Sequence, residues 1–66
     1  MAKRKRESAA SVARRFWRAV RYHEDGVSFL DFPWRRWRAQ CGGHAEFRLT
    51  RHAAMRAALA KVERED

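Results

Sequence analysis

A chain of 66 residues with 16 Lys and Arg against 8 Asp and Glu carries a formal charge of +8 and has room for one domain with a marginal core. At this size a buried catalytic cavity would consume much of the interior, whereas a binding surface would not. No apolar run approaches the ~18 residues of a membrane span, and the basic start lacks the apolar stretch of a secretory signal. The single cysteine, Cys41, can close no internal disulfide.

The charge is unevenly spread. Eight basic residues against Glu7 alone fall in residues 1–23, while residues 24–66 hold eight basic and seven acidic residues. Arginine outnumbers lysine, and its planar fork suits phosphate and base edges. A chain this basic attracts a polyanion. With so small a core, every large apolar side chain is expected to be used in packing.

The stretch "MAKRKRE", residues 1–7, is a charged arm with nothing to bury, expected to be disordered when free. Its Lys3, Arg4, Lys5 and Arg6 would fasten to phosphates; a solubilising tail is the alternative. Residues 8–66 then form a single compact domain.

From Ser8 the spacing predicts a helix over residues 8–23. Ala9, Val12, Ala13, Phe16, Trp17, Ala19 and Val20 fall on one arc, and Arg14, Arg15, Arg18 and Arg21 on the opposite one. Ser8 or Ser11 can cap its start and Gly26 offers a stop. The arginine arc is either a solvated face or a polyanion contact. The absence of an acidic residue among its four arginines favours contact.

In "GVSFLDFPWRRWRAQCGGHAEFRLT" the turn residues Asp31–Pro33 and Gly42–Gly43 divide three alternating segments. Val27 and Phe29 would face the core in the first. In the second, Trp37, Ala39 and Cys41 share one face and Arg36, Arg38 and Gln40 the other. In the third, Ala45, Phe47 and Leu49 would face inward, with Glu46, Arg48 and Thr50 outward. Trp34 is expected to extend the core rather than to stack on a base. A helical reading with Pro33 in the first turn also fits this stretch. The final segment predicts a helix over residues 51–63, with Thr50 as cap and Met55, Leu59 and Val62 on its buried stripe.

The expected class is therefore α+β: an amino-terminal amphipathic helix, a small three-stranded antiparallel sheet and a carboxy-terminal helix packed on it. The alternative is all-α, three helices with a helix-turn-helix centred on residues 33–43.

"GVSF", "PWRRWRAQ", the glycine turn, "FRLT" and "RHAAMRAAL" resemble the AP2 domain and the related arm-binding domains of tyrosine recombinases, over about residues 26–62. The resemblance implies a three-stranded sheet laid into the DNA major groove, with an Ala-rich helix across its back. It would place Arg36, Arg38 and Gln40, together with Arg35 and Arg48, on the DNA-facing side.

Catalytic and metal chemistry find little support. Cys41 and His44, with His52 further on, lack the paired cysteines of a structural zinc site, and His23 is distant. Cys41 falls on the inward face, as an inert thiol does. Glu24 and Asp25 sit at a helix exit, and Glu63, Glu65 and Asp66 at a solvated terminus. The expectation is a protein without enzymatic activity, cofactor or metal. It would bind duplex DNA as a regulator or accessory factor, in the cytoplasm and nucleoid-associated. The arm and the first helix would neutralise phosphates and the sheet would read bases. RNA is the alternative ligand. A small phage-type inhibitor or adaptor that docks on another protein is the alternative class, and a membrane partner is not expected.

Overall fold

The computed structural model describes residues 7–65. Helix α1 (Ala9–Arg18), strands β1 (Gly26–Leu30), β2 (Arg36–Cys41) and β3 (His44–Arg48), and helix α2 (Arg51–Glu65) follow in that order. The strands form one antiparallel sheet in the order β1-β2-β3. The fold is α+β, and the stretch that also fitted a helix is the middle strand. The arm residues Lys3, Arg4, Lys5 and Arg6 lie outside the described residues.

Both helices start as their sequences dictate. Ser8 Oγ accepts the backbone N–H of Ser11 at 3.1 Å, and Thr50 Oγ1 accepts that of Ala53 at 3.1 Å, each satisfying a donor with no partner inside its helix. Glu7, assigned from sequence to the arm, is instead tied to α1: it accepts the Ser11 hydroxyl at 2.6 Å and pairs with Arg15.

Helix α1 is shorter than the apolar spacing predicts, ending at Arg18 rather than reaching residue 23. The cause is Asp25. Its Oδ2 accepts the backbone N–H groups of Arg21 at 2.8 Å and Tyr22 at 3.0 Å. In a continued helix those donors would have bonded to the carbonyls one turn back. Capturing them turns the chain towards β1.

The core is assembled from Val12 and Phe16 of α1, Ala39 and Cys41 of β2, and Ala54, Met55, Ala58, Leu59 and Val62 of α2. Helix α2 lies across β2 and β3, and α1 packs against α2, so both helices occupy the same side of the molecule. Ala39, Ala54 and Ala58 are fully buried; their small side chains let α2 approach the sheet closely. Phe16 is the largest fully buried side chain, worth about 1.5–3 kcal/mol by removal of its ring from water.

The β2–β3 connection fixes the sheet's phase. Gly42 and Gly43 have φ of +57° and +84°, the two-residue turn whose twist matches a hairpin. Cys41 and His44 close it as partners, which sets Ala39 opposite Glu46 and Trp37 opposite Arg48. Partners across a ladder point to the same face. His44, Glu46 and Arg48 therefore lie on the helix side with Ala39 and Cys41, the reverse of the expected assignment. Phe47 and Leu49, expected inward, are 43% and 75% exposed.

Other apolar residues also escape the core. Trp34, expected within it, is 62% exposed, and Phe32 is 80% exposed. Phe29 lies on the helix side beside Trp37, their ring centroids 5.2 Å apart. It remains half-exposed because α2 sits over β2 and β3 and barely reaches β1.

Candidate nucleic-acid interface

With both helices on one side, the opposite face of the sheet is bare. The ladder places Ser28 and Leu30 of β1, Arg36, Arg38 and Gln40 of β2, and Ala45 and Phe47 of β3 on that face. The strand alternation expected for Arg36, Arg38 and Gln40 is the one observed: Ala39 and Cys41 between and beside them are fully buried.

A second carboxylate oxygen of Asp25 organises the end of this face. Oδ1 accepts the Gln40 side-chain amide at 2.9 Å and the Gly43 N–H at 3.3 Å, while Oδ2 takes the Gly42 N–H at 3.0 Å in addition to its helix-end donors. Gln40 Oε1 in turn accepts from the Arg38 guanidinium. The chain Asp25–Gln40–Arg38 thus orients one arginine of the bare face. Partial burial alone would raise the Asp25 carboxyl, but the donors converging on it from Arg21, Tyr22, Gln40 and Gly43 outweigh that and hold it down at about 2. Arg36 is oriented by its own neighbour, donating from Nε to the Trp34 carbonyl at 3.2 Å. Arg35, exposed beside it, occupies the left-handed region at φ +49°.

The expected site residues are divided by the structure. Arg35, Arg36, Arg38 and Gln40 are together on or beside the bare sheet. Arg48 is not; it faces Trp37 on the helix side and pairs with Glu46 at 2.8 Å. The hairpin parity that moves Glu46 inward moves Arg48 with it. Arg15 is likewise no free surface cation, since Glu7 and Glu63 both bind its guanidinium. Arg14 and Arg18 are exposed on α1, and Arg21 just beyond it, on the helical side.

The ion-paired carboxylates are segregated. Glu46, with its side chain only 12% exposed, binds Lys61 of α2 as well as Arg48. The hydrogen bond from Lys61 is the main reason its carboxyl is held below the usual range, with Arg48 adding to it against the opposing effect of burial. Glu63 reaches Arg15, and Glu65 approaches His44 Nε2 at 3.0 Å. Among the described residues neither Arg36 nor Arg38 forms an ion pair with a carboxylate. The ion-paired carboxylates thus lie on the helical side, while the arginines of the sheet face have Asp25 at one end, bonded to Gln40, and Asp31 in the β1–β2 turn.

Comparison of the chain with protein-family models, curated proteins and solved structures returned no match.

The remaining chemical candidates are separated or inert. Cys41 is fully buried, and burial, reinforced by the Asp25 and Glu63 carboxylates, pushes its thiol up to about 11. Among the described residues Cys41, His44 and His52 are not gathered with a further ligand into a metal-holding cluster. No helix among the described residues is long and apolar enough to cross a membrane. Sequence reasoning missed Asp25 as the residue that positions Gln40 and Arg38. A separation of 15 residues between Asp25 and Gln40 leaves no local signal. Phe47 on the bare face was readable from the two-glycine loop.

Proposed function

We propose that this protein binds duplex DNA on the bare face of its sheet. The observation that carries the reading is the display of Arg36 and Arg38 on a helix-free face with no carboxylate partner among the described residues. Two guanidinium groups on alternate residues of one strand suit the major groove, which admits a β-ribbon and offers guanine O6 and N7 to an arginine fork. Gln40, held by Asp25, serves to aim Arg38. Arg35 adds charge at the β1–β2 turn. A regulator or accessory factor is the role such a module suits, and the resemblance to AP2-type domains agrees with the sheet as the reading surface.

Fluorescence anisotropy with a pool of duplex sequences tests this. Arg36→Ala with Arg38→Ala should weaken binding and flatten the preference among sequences, because lost bidentate contacts remove about 1–3 kcal/mol of discrimination each. A double variant that keeps both the affinity and the preference of the parent chain refutes the sheet as the interface. Structured RNA that outcompetes duplex DNA at equal salt would reassign the ligand.

A further inference from the structure

The β1–β2 connection lifts two aromatic rings off the body of the protein. Phe32 is 80% exposed and Trp34 62% exposed, and neither packs against the core. The loop that carries them is closed on itself. The Asp31 carbonyl accepts the N–H groups of Trp34 at 3.1 Å and Arg35 at 3.3 Å, and Asp31 Oδ1 accepts the Phe32 N–H at 2.8 Å. The rings are therefore presented by a hydrogen-bonded turn. Arg35 follows directly, and the Arg36 guanidinium is tied to the Trp34 carbonyl. The turn thus presents two exposed rings beside the Asp31 carboxylate, and it is followed by two cations that run into the arginine face described above.

Rings this exposed lose free energy to water until something covers them. With arginines beside them and a chain charge of +8, the covering surface that matches is flat, apolar and part of a polyanion. A nucleobase has that character, and aromatic side chains stack on bases whatever the sequence. Apolar side chains that enter a base step partly unstack it and kink the duplex, as the wedges of minor-groove proteins do.

We propose that Phe32 and Trp34 form a wedge that stacks on the bases of a duplex at one step and opens it. The inference rests on the duplex-DNA reading and adds a substrate preference: DNA with a step that is already weak should be favoured, because less stacking has to be broken. The probe is a pair of short duplexes of the same flanking sequence, one fully paired and one with a central mismatch carrying 2-aminopurine. The parent chain should bind the mismatched duplex about tenfold more tightly and change the 2-aminopurine fluorescence. The Phe32→Ala, Trp34→Ala double variant should bind both duplexes alike, with unchanged circular dichroism because both rings lie outside the core. Trp34→Phe, which keeps a flat ring, should retain the preference, whereas Trp34→Leu should not.

A parent chain that binds both duplexes equally overturns the wedge and leaves the sheet interface standing. So does a double variant that keeps the preference. Failure to bind either duplex at low salt sinks the DNA reading and the wedge with it. Insertion of the tip into phosphatidylglycerol vesicles, with no mismatch preference, would overturn the wedge in favour of a lipid surface.

Discussion

Asp25 accepts five hydrogen bonds, from Arg21, Tyr22, Gln40, Gly42 and Gly43, and every one comes from an N–H donor. An amide in its place would put an NH2 group against donors, so Asp25→Asn is expected to lower the melting temperature by about 5 °C or more. The pH dependence has a definite sign. The Asp25 carboxyl titrates at about 2 in the folded chain against 3.8 ordinarily, so its contribution is complete above about pH 4 and disappears as the pH falls towards 2. Thermal melts of the parent chain and Asp25→Asn should therefore converge across that interval. Glu7 and Glu46 are also held low, so the parent chain alone loses stability from several groups, and only the difference between the two proteins isolates Asp25. A constant difference down to pH 2 would mean that the charge on Asp25 does not matter. Cys41 gives a second test at this scale. Buried, with its thiol raised to about 11, it should react with a disulfide reagent at neutral pH only as fast as the protein opens. Labelling at the rate of a free thiol would place it outside the core.

The hairpin between β2 and β3 decides what the sheet displays. Alanine at either glycine meets the left-handed backbone, which costs a residue with a Cβ about 1–2 kcal/mol. The two sites differ in space. A Cβ at Gly42 would lie 3.0 Å from Val62 Cγ2, a core contact, whereas one at Gly43 meets only the Tyr22 ring at 3.5 Å. Gly42→Ala should therefore lose more stability in urea than Gly43→Ala, and equal losses would show that Val62 gives way freely. The same hairpin marks how far the sequence could be read. The choice of strand over helix for residues 33–43 rests on the resemblance to AP2-type domains, because a helical period fits there too. The α2 stripe and the opposite faces of β2 follow from side-chain periodicity. The phase of β3 did not, because Ala45, Phe47 and Leu49 form an apolar alternation that points inward if hydrophobicity is the only guide. The glycine pair held the answer: a two-residue turn makes Cys41 and His44 partners and forces Glu46 under α2. Two other features had no local signal. The early end of α1 depends on a carboxylate beyond the helix, and the exposure of Phe29 depends on where α2 runs over the sheet.

At the scale of the molecule, the sheet separates two charged regions. Both helices lie on one side, where Glu7, Glu63, Glu46 and Glu65 pair with Arg15, Lys61, Arg48 and His44. The other side offers arginines without acids among its strand residues. On the proposed reading, a duplex resting on the bare sheet does not at the same time lie along α1, so Arg14 and Arg18 would act on it only through the long-range field. On that reading the first helix, which the sequence would assign to phosphate neutralisation, would contribute to encounter rather than to the contact itself. Salt dependence measures the distinction. Each phosphate contact releases condensed counterions and adds about 0.9 to the slope of log K against log salt. Arg36→Ala with Arg38→Ala, which remove base-edge contacts on the proposed reading, should lower sequence preference more than that slope, and Arg14→Ala with Arg18→Ala should leave the slope nearly unchanged while slowing association at low salt. Anisotropy titrations over a series of salt concentrations supply the slopes, and stopped-flow mixing supplies the association rates. The opposite result, a slope that falls by about 2 for the α1 pair and a sequence preference that holds for the sheet pair, would move the DNA to the helical side and leave the bare sheet to some other partner.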